Sequence, residues 1–154
     1  MLRHRLLDEN KSFYDEKQVP SFGYELLREV LLPDLLGKDT PQLLYWAGKN
    51  LARKYPLDSI ELIPSFFLQA GWGNLILVKE KKDEFEFHLT GDLISNRLQK
   101  KETATFQLEA GFLAWQIQQL TGQLSESYEQ QKKRALQVIF TVKSDKKDNT
   151  STES

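Results

Sequence analysis

One segment, ETATFQLEAGFLAWQIQQLTG from Glu102 to Gly122, constrains the fold most, because it places apolar residues on two opposite sides of a predicted helix. At about 100° per residue, a long apolar face lies opposite a shorter face that is richer in aromatic residues. Such a helix is sandwiched between layers, or it offers one face to a partner or a pocket. We expect the long face to pack on a sheet and the short face on helices, a second subunit or a ligand. The long face contains Phe106, Ala110, Leu113, Ile117 and Leu120, and the short face contains Leu108, Phe112 and Trp115.

Two hairpins supply the strands of that sheet. The first joins NLILVKE to EFEFHL through a tight turn at KKD, and apolar and polar residues alternate in its second strand. The second hairpin lies between Leu124 and Val142. Alternation from Leu136 onwards predicts a strand, whereas the helix formers in SESYEQQKKRALQ favour a helix. We interpret the whole segment as a hairpin that turns near Lys132-Lys133-Arg134.

Helices are predicted before the first hairpin. FGYELLREVLLPDLL has one apolar side, and Pro33 should end or kink it. Thr40-Pro41 then begins QLLYWAGKNLARKY, and a shorter helix follows within SIELIPSFFLQA. The predicted fold class is therefore α/β of the α+β type, with three to four helices packed on one face of a small antiparallel sheet. The apolar side of the first helix contains Phe22, Leu26, Leu27, Val30 and Leu31, and that of the second contains Leu44, Ala47, Gly48 and Leu51.

Length and composition predict one domain with two polar ends. In a chain of 154 residues, we expect an N-terminal arm over 1–20, a single domain over 21–143 and a disordered tail over 144–154. The net charge of −1 argues against a nucleic-acid partner. The absence of cysteine removes disulfides, thiol catalysis and thiolate metal sites, and it fits a cytoplasmic protein. The uncharged run from Leu62 to Val78 is interrupted by proline and glycine, so we expect no membrane span.

The order of these motifs resembles a known domain. Gly71-Trp72-Gly73, a hairpin, a polar link, EAGFLAWQIQQLTG and a closing hairpin are similar to the 4-vinyl reductase domain. TRAPP tethering subunits share that fold, and so, more distantly, do haem nitric-oxide-binding domains. Over roughly Phe22 to Val142, the chain most resembles the short YslB-like bacterial family. The resemblance implies an α/β fold whose relatives bind a small molecule or acyl chain at the junction of helices and sheet.

Departures from this resemblance limit what is inherited. Many 4-vinyl reductase domains carry cysteines just before the AGFLA segment and within the last hairpin. Here the corresponding neighbourhoods contain Phe106 and the run from Glu129 to Leu136. The chain has two histidines, His4 in the arm and His88 on the polar side of a strand. We therefore expect no metal, no haem and no other cofactor.

The candidate site residues surround the predicted junction of helices and sheet. Aromatic side chains there pack the core or line an apolar pocket. Glu109 lies beside the long face of the helix, and a buried carboxylate must find donors or take up a proton. Two interpretations of Glu109 stay open, a hydrogen bond that fixes a neighbouring loop or a contact with a ligand. The candidate ligand-binding set is Phe66, Phe67, Trp72, Glu109, Phe112 and Trp115.

Two classes of function follow. The first is a non-enzymatic, cytoplasmic domain that binds a hydrophobic small molecule or a protein partner, as a homodimer. The alternative is an enzyme that acts on a hydrophobic small molecule, with Glu109 as its acid–base group. His88 with Glu86 is explained by a solvated strand face, and no further catalytic set can be argued from spacing. A convergent polar set around a cavity would distinguish the two classes.

Overall fold

The computed structural model describes residues 18–100 and 104–149, and side chains up to residue 145. Five α-helices and four strands lie in these ranges. Helix α1 comprises Ser21–Glu25 and Leu32–Leu36, joined by a π-helical stretch at Leu26–Leu31. The others are α2 Thr40–Lys54, α3 Ile63–Gln69, β1 Asn74–Glu80, β2 Glu84–Thr90, α4 Asp92–Leu98, α5 Gln107–Thr121, β3 Gln123–Lys132 and β4 Gln137–Asn149. Short 3₁₀ turns at Gly37–Asp39 and Ile60–Leu62 precede α2 and α3.

The four strands form one antiparallel sheet in the order β1-β2-β4-β3. Phe87 of β2 lies opposite Phe140 of β4, and both are fully buried under the helices. Ile76 and Val78 of β1 are exposed on the other side. Because side chains alternate along a strand, one face of the sheet belongs to the core and the other faces solvent. Both predicted hairpins, and the α+β fold class with its antiparallel sheet, are confirmed.

Helix α5 lies between the sheet and α2, as its two apolar faces predict. Ala110, Leu113 and Ile117 are fully buried in the core that includes β2 and β4. On the other side the backbones of α5 and α2 touch. A Cβ atom on Gly111 would lie 1.9 Å from the carbonyl oxygen of Tyr45, and one on Gly48 would lie 2.1 Å from that of Leu108. Glycine is therefore required at both points, and α5 is buried on most of its circumference.

Side chains of the same helix also hold the loop between α2 and α3. The buried amide of Gln116 accepts a hydrogen bond from the backbone N–H of Leu57 at 3.1 Å and donates one to the carbonyl of Tyr55 at 2.9 Å. At the start of α5, the carboxylate of Glu129 accepts from the backbone N–H of Phe106 at 3.2 Å. Negative charge at a helix N-terminus is favourable, so β3 fixes where α5 begins.

Helix α1 continues through Pro33 instead of ending there. A proline ring in a regular helix clashes with the carbonyl four residues earlier and removes one hydrogen bond. The π stretch lies just before this point, and the N–H of Leu32 bonds to the carbonyl of Leu27, five residues back. The wider turn makes room for the ring, so the helix reaches Leu36.

Other parts of the chain depart from the sequence prediction. The polar link after β2 forms an additional helix, α4, which buries Ile94, Arg97 and Leu98. Strand β4 continues to Asn149, so the first residues of the predicted tail over 144–154 are paired with β3. Residues 1–17, 101–103 and 150–154, with most of the predicted arm, the start of the ETATFQ segment and the end of the tail, lie outside the described residues. In the described part, no helix is long and apolar enough to cross a membrane.

Candidate functional site

The first half of α1 turns polar side chains inward, while Leu32 and Leu36 are half-buried in its second half. Among the sixteen residues of this helix, Arg28 is the one that is buried. The half-buried side chains of Tyr24, Glu25 and Glu29 lie on the same side of α1. A helix packed on a protein core normally turns its apolar stripe inward. Because polar side chains of α1 face the core here, the groups that they contact form the candidate site.

Arg28 pairs with Glu109, a residue of α5 that is fully buried. The Nη2 atom of Arg28 donates to Oε1 of Glu109 at 2.6 Å, and Nη1 donates to the hydroxyl of Tyr24 at 2.8 Å. Burial alone would lower the pKa of Arg28, but Glu109, Tyr24 and Glu29 together outweigh burial and the pKa is raised. Burial raises the pKa of Tyr24 as well. At neutral pH, Arg28 is therefore charged and Tyr24 is a neutral hydroxyl.

Arg97 of α4 contributes a second buried cation. Its Nη1 lies 3.8 Å from Oε2 of Glu109, and its Nε lies 2.5 Å from Oε2 of Glu29, an ion pair whose alignment is not that of a hydrogen bond. Its Nη2 donates to the carbonyl of Thr105 at 2.7 Å, and its guanidinium lies 4.0 Å from the centre of the Phe106 ring. Arg97 thus joins α4 to the start of α5 and to α1.

The resulting cluster contains two arginines and two glutamates, whose formal charges cancel. We call Arg28, Glu29, Arg97 and Glu109 the ion cluster. Burying four charges is rarely the most stable way to fill a core, since an apolar set of equal volume is often as good or better. Within residues 18–100 and 104–145, neither Nε of Arg28 nor Oε2 of Glu109 has a hydrogen-bond partner. The same holds for Nε of Arg97 and Oε2 of Glu29, which form the misaligned ion pair, so two donors and two acceptors of the cluster are buried without a hydrogen bond.

A cleft of about 340 Å³ opens onto the ion cluster. It lies between α1, the beginning of α2, the end of α4 and the residues that lead into α5. Polar groups at its base come from Arg28, Glu29 and Arg97, and Lys100 pairs with Glu25 at its rim. The more apolar walls are Val30, Pro33, Pro41 and Ala104. Concave, partly apolar sites with a few convergent polar groups are typical of small-molecule binding.

The predicted aromatic residues form a tightly packed group. Phe112 stacks on Phe66 with ring centres 4.5 Å apart, and it meets Trp72 edge-on at 5.3 Å and Phe67 at 6.0 Å. All four rings are buried. Trp72 reaches them because Gly71 and Gly73 adopt positive φ angles of 76° and 130° on either side of it. Their packing is observed, while a ligand site among them stays a prediction.

The other two predicted site residues lie elsewhere. Trp115 is half-buried and packs against the edge of the core. Glu109 is one turn before Phe112 on α5, but its carboxylate contacts Arg28 and Arg97. The structure thus brings the four rings together, and it places Glu109 in the ion cluster.

His88 and Glu86 lie on the solvent side of the sheet. Nε2 of His88 is 2.7 Å from Oε2 of Glu86, and this hydrogen bond lowers the pKa of the Glu86 carboxyl. Lys79 adds a distant ion pair to Glu86 at 3.8 Å. No group of three or more metal-ligating side chains occurs in the part of the chain that the structure describes. These groups are explained as partners on an exposed strand face.

Arg28 and Arg97 were missed from the sequence. Arg28 and Glu29 interrupt an otherwise apolar helix, LLREVLL, and two adjacent opposite charges in such a run were the available signal. Arg97 lies in the link that was interpreted as polar connection, so nothing indicated that it would turn inward. Sequence reasoning selected one of the two glutamates of the cluster, Glu109, and it could not join Glu109 to Arg28 and Arg97, which are distant along the chain.

Solved structures show a shared fold. A vinyl-4-reductase family protein from Methanocaldococcus jannaschii has a TM-score of 0.64 at 20% identity, with 85% of each chain covered. An Fe(II) unliganded H-NOX protein from K. algicida has a TM-score of 0.53 at 10% identity, with 95% of this chain and 87% of that chain covered. At such identities these likenesses show the fold alone.

Sequence relatives show the family. The uncharacterized protein YslB of Bacillus subtilis (strain 168) is 56% identical over 133 residues, which are 86% of this chain and 90% of that protein. The predicted resemblance to YslB-like proteins and to the vinyl reductase fold is confirmed. A family model described as "Protein of unknown function (DUF2507)" matches residues 21–143. The chain therefore belongs to the DUF2507 family.

Proposed function

We propose that this protein is a non-enzymatic binding domain whose small-molecule ligand occupies the cleft between α1, α2 and α4. The observation that carries this proposal is the ion cluster, of which Arg28, Glu29 and Arg97 line the cleft, with a buried Nε of Arg28 that has no hydrogen-bond partner among the described residues. A buried polar atom without a partner costs free energy, on the order of 1–3 kcal/mol. A ligand in the cleft that accepts a hydrogen bond from this donor recovers that cost. The fold shared with vinyl-4-reductase and H-NOX proteins supports a ligand-binding role.

The charges of the cleft indicate the chemistry of the ligand. The four charges of the ion cluster cancel, so an ionised head group would leave one net charge buried and uncompensated. A neutral head group with an acceptor oxygen, such as an amide or an alcohol, matches the free donor of Arg28. The walls at Val30, Pro33 and Pro41 suit an apolar body. The proposed ligand is a hydrophobic small molecule with one neutral polar end.

The contacts of Glu109 favour binding over catalysis. The enzyme alternative requires this carboxylate to exchange a proton with a substrate. Its Oε1 accepts a 2.6 Å hydrogen bond from Arg28, and its Oε2 lies 3.8 Å from Arg97. A carboxylate held between two guanidinium groups is positioned as a counter-ion. In this proposal, Glu109 orients Arg28 toward the ligand, in a cytoplasmic protein that acts as a homodimer and has no nucleic-acid partner.

The test uses protein purified from its own host under native conditions. Mass spectrometry of the native and the denatured protein gives the mass of any retained ligand. Pro41→Trp puts a large side chain on the wall of the cleft, and Gln42→Trp puts the same side chain on an exposed neighbour outside the cleft lining. We expect a retained mass in the wild type and in Gln42→Trp, and its loss in a folded Pro41→Trp. No retained mass in any of the three, or retention by Pro41→Trp, would contradict the proposal.

A further inference from the structure

The outer face of α1 is apolar and exposed. Phe22 is 63% exposed, Leu27 is 59% exposed and Leu35 is 78% exposed. Leu26, Val30 and Leu31 share this side of the helix and are also exposed. Together the six side chains present on the order of 600 Å² of apolar surface, which is at the upper end for patches on monomers and most of the ~800 Å² that one partner contributes to a standard interface. Exposed apolar patches of this size mark interaction surfaces.

The spacing of these residues is symmetric along the helix. Reversing the helix about the midpoint between Arg28 and Glu29 maps each apolar position onto another. The pairs are 22 with 35, 26 with 31, and 27 with 30. The π stretch Leu26–Leu31 and the whole helix from Ser21 to Leu36 are centred on the same midpoint. Two-fold symmetric interfaces use one patch on both subunits, so residue i contacts j and j contacts i. A helix with this spacing is complementary to an antiparallel copy of itself.

We propose that a second copy of this chain covers the outer face of α1, with the two α1 helices antiparallel across a two-fold axis. Phe22 then lies opposite Leu35 of the second copy, Leu26 opposite Leu31, and Leu27 opposite Val30. The exposed charge within this stretch, Asp34, falls opposite Gly23, so no like charges meet. Arg28 and Glu29 point inward, where they pair with Glu109 and Arg97 within the ion cluster.

The occupant is a second copy because the pattern is self-complementary. An unrelated partner needs an apolar surface of its own, and it imposes no symmetry on α1. An antiparallel pair of identical helices requires a symmetric spacing of the apolar residues, and α1 has this spacing. Val30 also lines the cleft, so the second copy reaches the border of the ligand site. The inference deepens the homodimer of the proposed function and does not depend on what the cleft binds, so the ligand site and the dimer can each fail alone.

Disulfide cross-linking tests the geometry, since the chain has no cysteine of its own. Phe22→Cys and Leu35→Cys are made as separate proteins that differ in mass, then oxidised singly and as a mixture. In the antiparallel pair, identical positions are about 20 Å apart, at ~1.5 Å per residue, beyond the ~7 Å Cα separation that a disulfide allows. We expect covalent dimers of mixed mass in the mixture and none in either protein alone. Self-linking of either protein, or no link in the mixture, would overturn the proposal.

Sedimentation of charge variants tests the interface independently. Leu27→Glu places one charge per chain near the centre of the proposed contact, and Leu68→Glu places one charge per chain on an equally exposed leucine of α3. We expect a dimer for the wild type and for Leu68→Glu, and a monomer with unchanged circular dichroism for Leu27→Glu. A monomeric wild type at micromolar concentration would overturn the proposal, as would a dimeric Leu27→Glu. If Leu27→Glu does not fold, the cross-linking result decides.

Discussion

Helices α1 and α5 have similar lengths, but they differ in which of their side chains are buried. Helix α5 is surrounded by the sheet and α2, and its apolar side chains are buried on both faces. Helix α1 turns Arg28 and its polar neighbours inward and exposes Leu26, Leu27, Leu31 and Leu35. The core holds α5 through the hydrophobic effect, whereas ion pairs hold the first half of α1 on one side. In our proposal, α5 is the frame of the domain, and the position of α1 depends on a ligand and a second copy.

The largest expected effect comes from breaking α5. Phe112→Ala removes a ring that contacts Phe66, Phe67 and Trp72, and we expect the free energy of unfolding to fall by about 3–5 kcal/mol. Chemical denaturation measures this change. Trp115→Ala on the same helix should cost less, because Trp115 is half-buried. Equal losses for both variants would mean that the aromatic group is not the centre of the core.

An intermediate effect is expected at the contact between the two helices. Glu109→Gln keeps the shape of the side chain and leaves Arg28 without its counter-ion, so we expect a loss on the order of 1–3 kcal/mol with the fold retained. Arg28→Met should lose a similar amount. The double variant should lose less than the sum of the two single losses, because the cost of the unpaired partner is counted once. Strict additivity would show that the ion pair does not hold α1.

This contact also marks how far sequence reasoning reaches. The faces of α5, the turn at Gly71-Trp72-Gly73 and the hairpin from Leu124 to Val142 were predicted because periodicity reports which side of an element is buried. The same rule assigned an apolar side to α1 correctly, but periodicity carries no sign, and here that side faces outward. The partners of Glu109 were missing because residues 28, 97 and 109 meet only through the tertiary fold. The direction in which the apolar side of α1 faces is therefore known only from the tertiary structure.

A smaller effect is expected at alkaline pH. Burial raises the pKa of Tyr45, helped by its hydrogen bond to Glu126, and burial also raises the pKa of Tyr24. The unfolded chain releases these protons from about pH 10, while the folded chain retains them. Stability is therefore full below pH 10 and is lost as pH rises beyond it. Tyr45→Phe should reduce the slope of stability against pH above 10, measured by urea denaturation. An unchanged slope would remove Tyr45 from the explanation.

Hydrogen exchange at several protein concentrations measures the contrast between the two helices most directly. Amides of α5 should exchange only through global unfolding and should be the most protected at every protein concentration. Amides of α1 should exchange faster in dilute protein, and their protection should rise with concentration as the second copy covers Phe22 to Leu35. Concentration-independent protection of α1, equal to that of α5, would contradict the account of α1 as a helix held from outside.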